Sequence, residues 1–138
     1  MIVTKMKEFQ VDENVVVNSV SDLVPLLVEF YNNSSVENFV VIALGGGKQV
    51  ISIRTITVGT VNRTLVHPRE VFRYAILENA ESIIISHNHP SGFVSPSSDD
   101  INITKILKEA SEIIGITLLD HVIIGKGNYF SFLENDCF

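Results

Sequence analysis

His87 and His89 stand two positions apart, and Asp100 follows across a loop, in the run SHNHPSGFVSPSSDD from Ser86 to Asp100. Two neutral imidazole nitrogens and one carboxylate oxygen make a three-ligand set that zinc accepts, with a fourth position left for water. An open site of that kind is catalytic in design, because bound zinc brings the pKa of its water down toward ~7.

Local pattern supplies elements that can bring the three together. Ile83, Ile84 and Ile85 form a short apolar run with polar flanks, which suits a buried strand. Residues i and i+2 at a strand end point to the same side, so His87 and His89 can converge on one ion. Pro90, Ser91 and Gly92 then supply turn chemistry. Ser97 and Asp100 have capping-box spacing, with Asp as a shorter variant of the usual Glu or Gln. Ile103, Ile106, Leu107, Ala110, Ile113 and Ile114 follow with helical spacing. Asp100 is therefore expected in the first turn of a helix, where the dipole favours a negative charge, pointing back toward the strand end.

Upstream, Ser19 or Ser21 can cap a helix over residues 22–31, with Pro25 near its first turn and Asn32, Asn33, Ser34 and Ser35 ending it. Residues 36–44 and 49–58 read as two strands around the turn Gly45-Gly46-Gly47-Lys48, the second with a slip in its alternation that suggests a bulge. Pro68 opens a helix over residues 68–80, with His67 before it as a turn or cap residue. Gly115 stops the helix that follows Ser97. Strands over 116–124 and 129–133 close the chain, and a weak opening strand is expected over residues 2–6. Alternating strands and helices predict an α/β (α+β-like) domain, a mixed sheet packed by helices.

At 138 residues, a single domain over 1–138 is the simplest reading. A hydrophobic content of 46% with 19% charged residues excludes a disordered chain. No apolar run approaches the ~20 residues of a membrane span. MIVTKMKEFQ lacks a signal-peptide core, so no membrane association and a cytoplasmic location are expected. The lone Cys137 cannot form an internal disulfide, in keeping with a reducing compartment. A net charge of −6 argues against a broad nucleic-acid surface, although a local cationic patch stays open. The glycine triplet lacks the spacing of a phosphate-binding loop.

HNHPSGFVSPSSDD resembles the JAMM metalloprotease signature, also called MPN-plus or JAB, in which H-x-H is followed after seven residues by Ser-x-x-Asp. His87 and His89 match its histidines, Ser97 its serine and Asp100 its aspartate, without a gap. VHPREVFRYAILENAESIIISHNHPSG and LLDHVIIGKGNYFSF are similar to the bacterial RadC-like branch, so the resemblance runs from about Glu37 onward. It implies the JAMM fold, a curved mixed sheet flanked by helices and akin to cytidine deaminases. It also implies zinc as cofactor and Glu37, which opens the strand ENFVVIAL, as general base. Ser97 would position or stabilise the tetrahedral oxyanion; its other reading is a helix N-cap, and both can hold at once. Asp120 and His121 match the RadC-like pattern and are candidates for support behind the ligands or for a structural hydrogen bond. This branch commonly carries an N-terminal helical domain with a helix-hairpin-helix-like segment, which this chain is expected to lack.

Other H-x-H chemistries fail on the residues. An amidohydrolase barrel needs ~200 residues or more. Zinc deaminases need H-x-E with P-C-x-x-C, and one cysteine cannot supply that. The leading expectation is a zinc-dependent hydrolase cleaving a peptide or isopeptide bond in an unidentified peptide or protein. The alternative is a non-catalytic or accessory module in DNA repair or mobile-element biology, the label attached to the RadC name. Phosphate contacts would show themselves as a steep salt dependence of binding. Unused strand edges would allow two copies to pair as a homodimer.

Overall fold

Apolar side chains that alternate along the strands divide the interior into two cores, one on each face of a sheet. The structure is a computed structural model and describes residues 15–60 and 65–138. Its elements are α1 (Val20–Tyr31), β1 (Asn38–Leu44), β2 (Val50–Val58), α2 (Pro68–Leu77), β3 (Ser82–Asn88), α3 (Ser98–Ile114), β4 (Thr117–Ile124) and β5 (Tyr129–Ser131). The expected opening strand lies outside the described residues.

The five strands form one mixed sheet in the order β2-β1-β3-β4-β5. Neighbours run antiparallel except β3 and β4, which are parallel and joined through α3. Phe39, Val41, Ala43, Ile83 and Ile85 face α2 and α3, meeting Val71, Phe72, Ile103 and Leu107. Val40, Ile42, Leu44, Ile84 and Val122 face α1, meeting Leu23, Leu27 and Tyr31. Central β3 is buried along its whole length, which is why its apolar run is continuous rather than alternating.

Most expected boundaries fall within a residue or two of those observed. Ser19 is the N-cap of α1, with its N–H donating to Asp22 Oδ2 at 3.0 Å. Pro25 lies inside that helix rather than in its first turn. The expected slip in β2 is a bulge: Phe39 pairs with Thr57 and Val40 with Thr55, leaving Ile56 as the extra residue. α2 stops at Leu77, three residues early, because Asn79 takes a left-handed φ of 54°. His67 occupies the N-cap position of α2, exposed, without a capping hydrogen bond from its side chain. β5 ends at Ser131, before the expected residue 133, because hydrogen bonds to Asp120 turn the chain there. Among the described residues no helix is long and apolar enough to cross a membrane.

Gly125 joins the β4–β5 turn to the loop between β3 and α3. A Cβ there would meet the Asn128 side chain, Val94 Cγ1 at 2.6 Å and the Gly92 backbone oxygen at 2.8 Å. A backbone carbonyl cannot swing aside like the tip of a side chain, so Gly125→Ala must displace the loop. The expected loss is ~1–3 kcal/mol of stability, typical of overpacking, read from chemical denaturation.

Candidate metal centre

β3 ends at the site. His87 is its second-last residue and fully buried, with its ring stacked on Phe39 at 6.2 Å between centroids. His89 lies one residue beyond the strand, where its N–H donates to the Ile124 carbonyl at 2.8 Å and keeps the backbone extended. The two side chains therefore share a face, as i and i+2 spacing requires. Pro90 and the left-handed Gly92 (φ 90°) turn the chain, and the loop returns at Ser97 to start α3.

The start of α3 is a reciprocal capping box. Asp100 N–H donates to Ser97 Oγ at 3.0 Å, and Ser97 N–H donates to Asp100 Oδ2 at 2.8 Å. The same box directs the carboxylate into the sheet. Asp100 Oδ1 lies 3.2 Å from His87 Nε2, and Oδ2 lies 3.4 Å from His89 Nε2. The two Nε2 atoms are 2.8 Å apart. His87, His89 and Asp100 each offer one ligand atom, all within 4.8 Å of one another.

Hydrogen bonds on the far sides of the rings prepare these atoms. The Phe93 carbonyl, which can only accept, lies 2.6 Å from His89 Nδ1. The proton of neutral His89 therefore sits on Nδ1 and Nε2 is bare. His87 Nδ1 is 2.8 Å from His121 Nε2. Two nitrogens at ~2.0–2.1 Å from one tetrahedral zinc stand ~3.3 Å apart, close to the nitrogen–oxygen separations here. The nitrogen–nitrogen gap need open by only about half an ångström to match. The donor set fits a small cation with a position left over.

Electrostatics agree. Burial pushes the Asp100 carboxyl up, but the His87 and His89 rings beside it and the Ser97 N–H outweigh that and hold it well below the usual carboxylate range. His89 is raised, first by its hydrogen bond to Asp100 and against its burial, with the Phe93 carbonyl and the Glu37 carboxylate adding to the rise. His121 is held well below the ordinary histidine range by burial and by His87, so it is neutral.

Glu37 sits just ahead of β1, half-buried. β1 and β3 pair Phe39 with His87, so continuing that register by two residues sets Glu37 opposite His89. Asn88, whose importance the sequence reading missed, fixes this end of the ladder. Its Oδ1 accepts from Asn38 N–H at 2.7 Å and its Nδ2 donates to the Val36 carbonyl at 3.0 Å, gripping the backbone on both sides of Glu37. A polar residue between the two histidines was the available signal.

Asp120 and His121 take different places. Asp120 points away from the histidines: Oδ2 accepts from Ser131 Oγ at 2.5 Å, and Oδ1 accepts from the His121 and Leu133 N–H groups at 2.7 and 3.0 Å. Burial raises its pKa against those bonds. His121 touches His87 directly and is stacked on Phe132, 4.6 Å between centroids with the planes 7° apart. Thr104 also escaped the sequence reading, although it lies one helical turn after Asp100; its Oγ1 is 2.5 Å from His121 Nδ1.

Comparison with known proteins gives the arrangement a family context. The family model described as RadC-like JAB domain matches residues 17–137. A UPF0758 protein of Caldanaerobacter subterraneus subsp. tengcongensis is 48% identical over 88% of this chain and 52% of its own length. One from Clostridium novyi is 42% identical over 96% of the chain and 58% of its own, and one from Alkaliphilus oremlandii 49% identical over 83% and 49%. The chain spans about half the length of the curated relatives it matches. A paired H-x-H at the end of a central strand, an aspartate returned by a capped helix, and a family match over nearly the whole chain agree, and the chain belongs to the RadC-like JAB domain family.

Proposed function

We propose that this chain is a zinc-dependent hydrolase that cleaves a peptide or isopeptide bond in a peptide or protein, with His87, His89 and Asp100 holding the metal. One observation carries the reading. Two nitrogens and a carboxylate converge on one point at the rim of the sheet. Zinc held there would supply a water acidified toward ~7 and a positive charge for a polarised carbonyl.

The remaining chemistry belongs to side chains. Glu37, across from His89, is the general base: it takes a proton during attack and returns it to the departing amine. Its carboxylate adds to the rise of the His89 pKa, after the larger effect of Asp100. Ser97 Oγ uses a lone pair to cap Asp100 N–H, and the cap leaves its own proton to aim at an oxyanion. A well-placed donor of that kind is worth ~2.7–4 kcal/mol in the transition state. His89 is the partly exposed ligand, its side chain 13% accessible, and so marks the side from which substrate reaches the centre. Phe93, 80% exposed on the loop that holds His89, offers substrate an apolar contact there.

Glu37→Gln should take up zinc as wild type does, yet lose ~10²–10⁴-fold in turnover. Metal analysis and a peptide-library digest read by mass spectrometry measure the two halves, and turnover retained by the variant refutes the role. Zinc affinity should also weaken on acidification. His89 keeps its proton to a higher pH than an ordinary histidine, and zinc must expel that proton to bind. Affinity is thus expected to rise with pH until His89 is neutral and then level off. Chelator competition between about pH 5.5 and 8 measures this, and a flat profile rules His89 out as a ligand.

A further inference from the structure

A ligand imidazole must keep its proton on the nitrogen that faces away from the metal. For His89 the Phe93 carbonyl enforces this alone. For His87 the outer partner is another imidazole, His121, which can donate or accept, so the pair leaves the direction of the bond undecided.

Thr104 decides it. Its hydroxyl has one proton, and its oxygen lies 2.7 Å from the Asp100 backbone carbonyl, which can only accept. This bond to the carbonyl four residues back is an ordinary habit of helical threonine. With that proton committed, Thr104 Oγ1 must accept from His121 Nδ1–H, 2.5 Å away. His121 Nε2 is then bare and accepts from His87 Nδ1–H at 2.8 Å. His87 Nε2 is left bare on the side where His89 and Asp100 converge. The opposite assignment sets two acceptors, Thr104 Oγ1 and His121 Nδ1, against each other at 2.5 Å. It also puts the His87 proton where the metal would sit.

We infer that Thr104 is a positioning residue that fixes His87 in its metal-binding tautomer, acting through His121. The inference rests on the zinc reading, since a cation at the convergence is what a bare His87 Nε2 facing Asp100 Oδ1 at 3.2 Å requires, while the direction at the far end follows from the bond of Thr104 to the Asp100 carbonyl. The relay closes on itself, because the residue whose carbonyl orients Thr104 is the one whose carboxylate completes the ligand set.

The test uses the whole chain, labelled with 15N at histidine. Long-range imidazole correlation spectra of the metal-free wild type are expected to show both His87 and His121 protonated on Nδ1. In Thr104→Val, which keeps the shape and removes the hydroxyl, His87 should shift toward the Nε2-protonated form. Its zinc affinity, measured by chelator competition, should fall ~10–100-fold, and Thr104→Ser should restore both readings. A wild-type His87 protonated on Nε2 overturns the relay. So does a Thr104→Val protein that binds zinc within about two-fold of wild type, given the size expected for loss of such support. If the valine variant does not fold, the wild-type spectrum and the serine variant decide. A wild type that takes up no zinc overturns the metal reading instead, and the spectra still judge the relay. A threonine that only packs would alter stability and leave the tautomer unchanged.

Discussion

Everything at the rim of this sheet follows from bringing two imidazole nitrogens and a carboxylate face to face. Such a cluster repels itself unless a proton or a metal ion lies between its members, so the fold must hold it against that repulsion. The anchorage comes from both sides. His87 is locked into a strand buried on both faces, and His89 is tied by its backbone to Ile124. Asp100 is tied by the helix cap, which satisfies two backbone N–H groups of the first turn and aims the carboxylate with the same bonds. Because α3 buries Ile103 and Leu107 against the sheet, the position of Asp100 is set by the core as well as by its own loop.

The mixed topology is what makes the rim rich in chemistry. β1 runs antiparallel to β3, so the start of β1, with Glu37, arrives where β3 ends. β4 runs parallel to β3 and carries His121 alongside Ile85, one step behind His87 on the same face. An all-parallel sheet would bring only strand ends to this rim, whereas here one neighbour contributes its beginning and the other its interior.

The convergence of His87, His89 and Asp100 was legible in the sequence, because H-x-H at a strand end and Ser-x-x-Asp at a helix start are local patterns whose geometry follows from a period of two and a capping box. The elements were legible for the same reason: their apolar periodicity and their Pro, Gly and Ser punctuation act over a few residues. What could not be read was the second layer. Uninterrupted alternation from Leu118 would place His121 on the α1 face, away from His87. Instead, Ile83 pairs with Leu118 and Ile84 with Asp120, so Leu119 is an extra residue and every later side chain changes face. Leu118 accordingly packs in the α2–α3 core, while Leu119 and Val122 pack on the α1 side. A bulge of this kind depends on pairing between strands distant in sequence, and no local pattern announced it. The Asn88 clamp and the Thr104 contact were hidden likewise, since each joins side chains brought together only by the sheet.

The Asp120-His121 pair shows how two adjacent residues on opposite faces serve one end. Asp120 gathers Ser131 and the Leu133 N–H, ending β5 and bending the chain where it leaves the sheet. That bend sets Phe132 flat against His121, while Phe39 meets the same ring edge-on at 5.9 Å. Enclosure by these two rings keeps water from the His121 nitrogens, and among the described residues their partners are His87 and Thr104. An imidazole open to solvent could exchange its proton with water and let either tautomer form; an enclosed one must take the form its two neighbours dictate. Asp120 thus reaches the candidate centre without touching it, by folding the last strand over the residue next door.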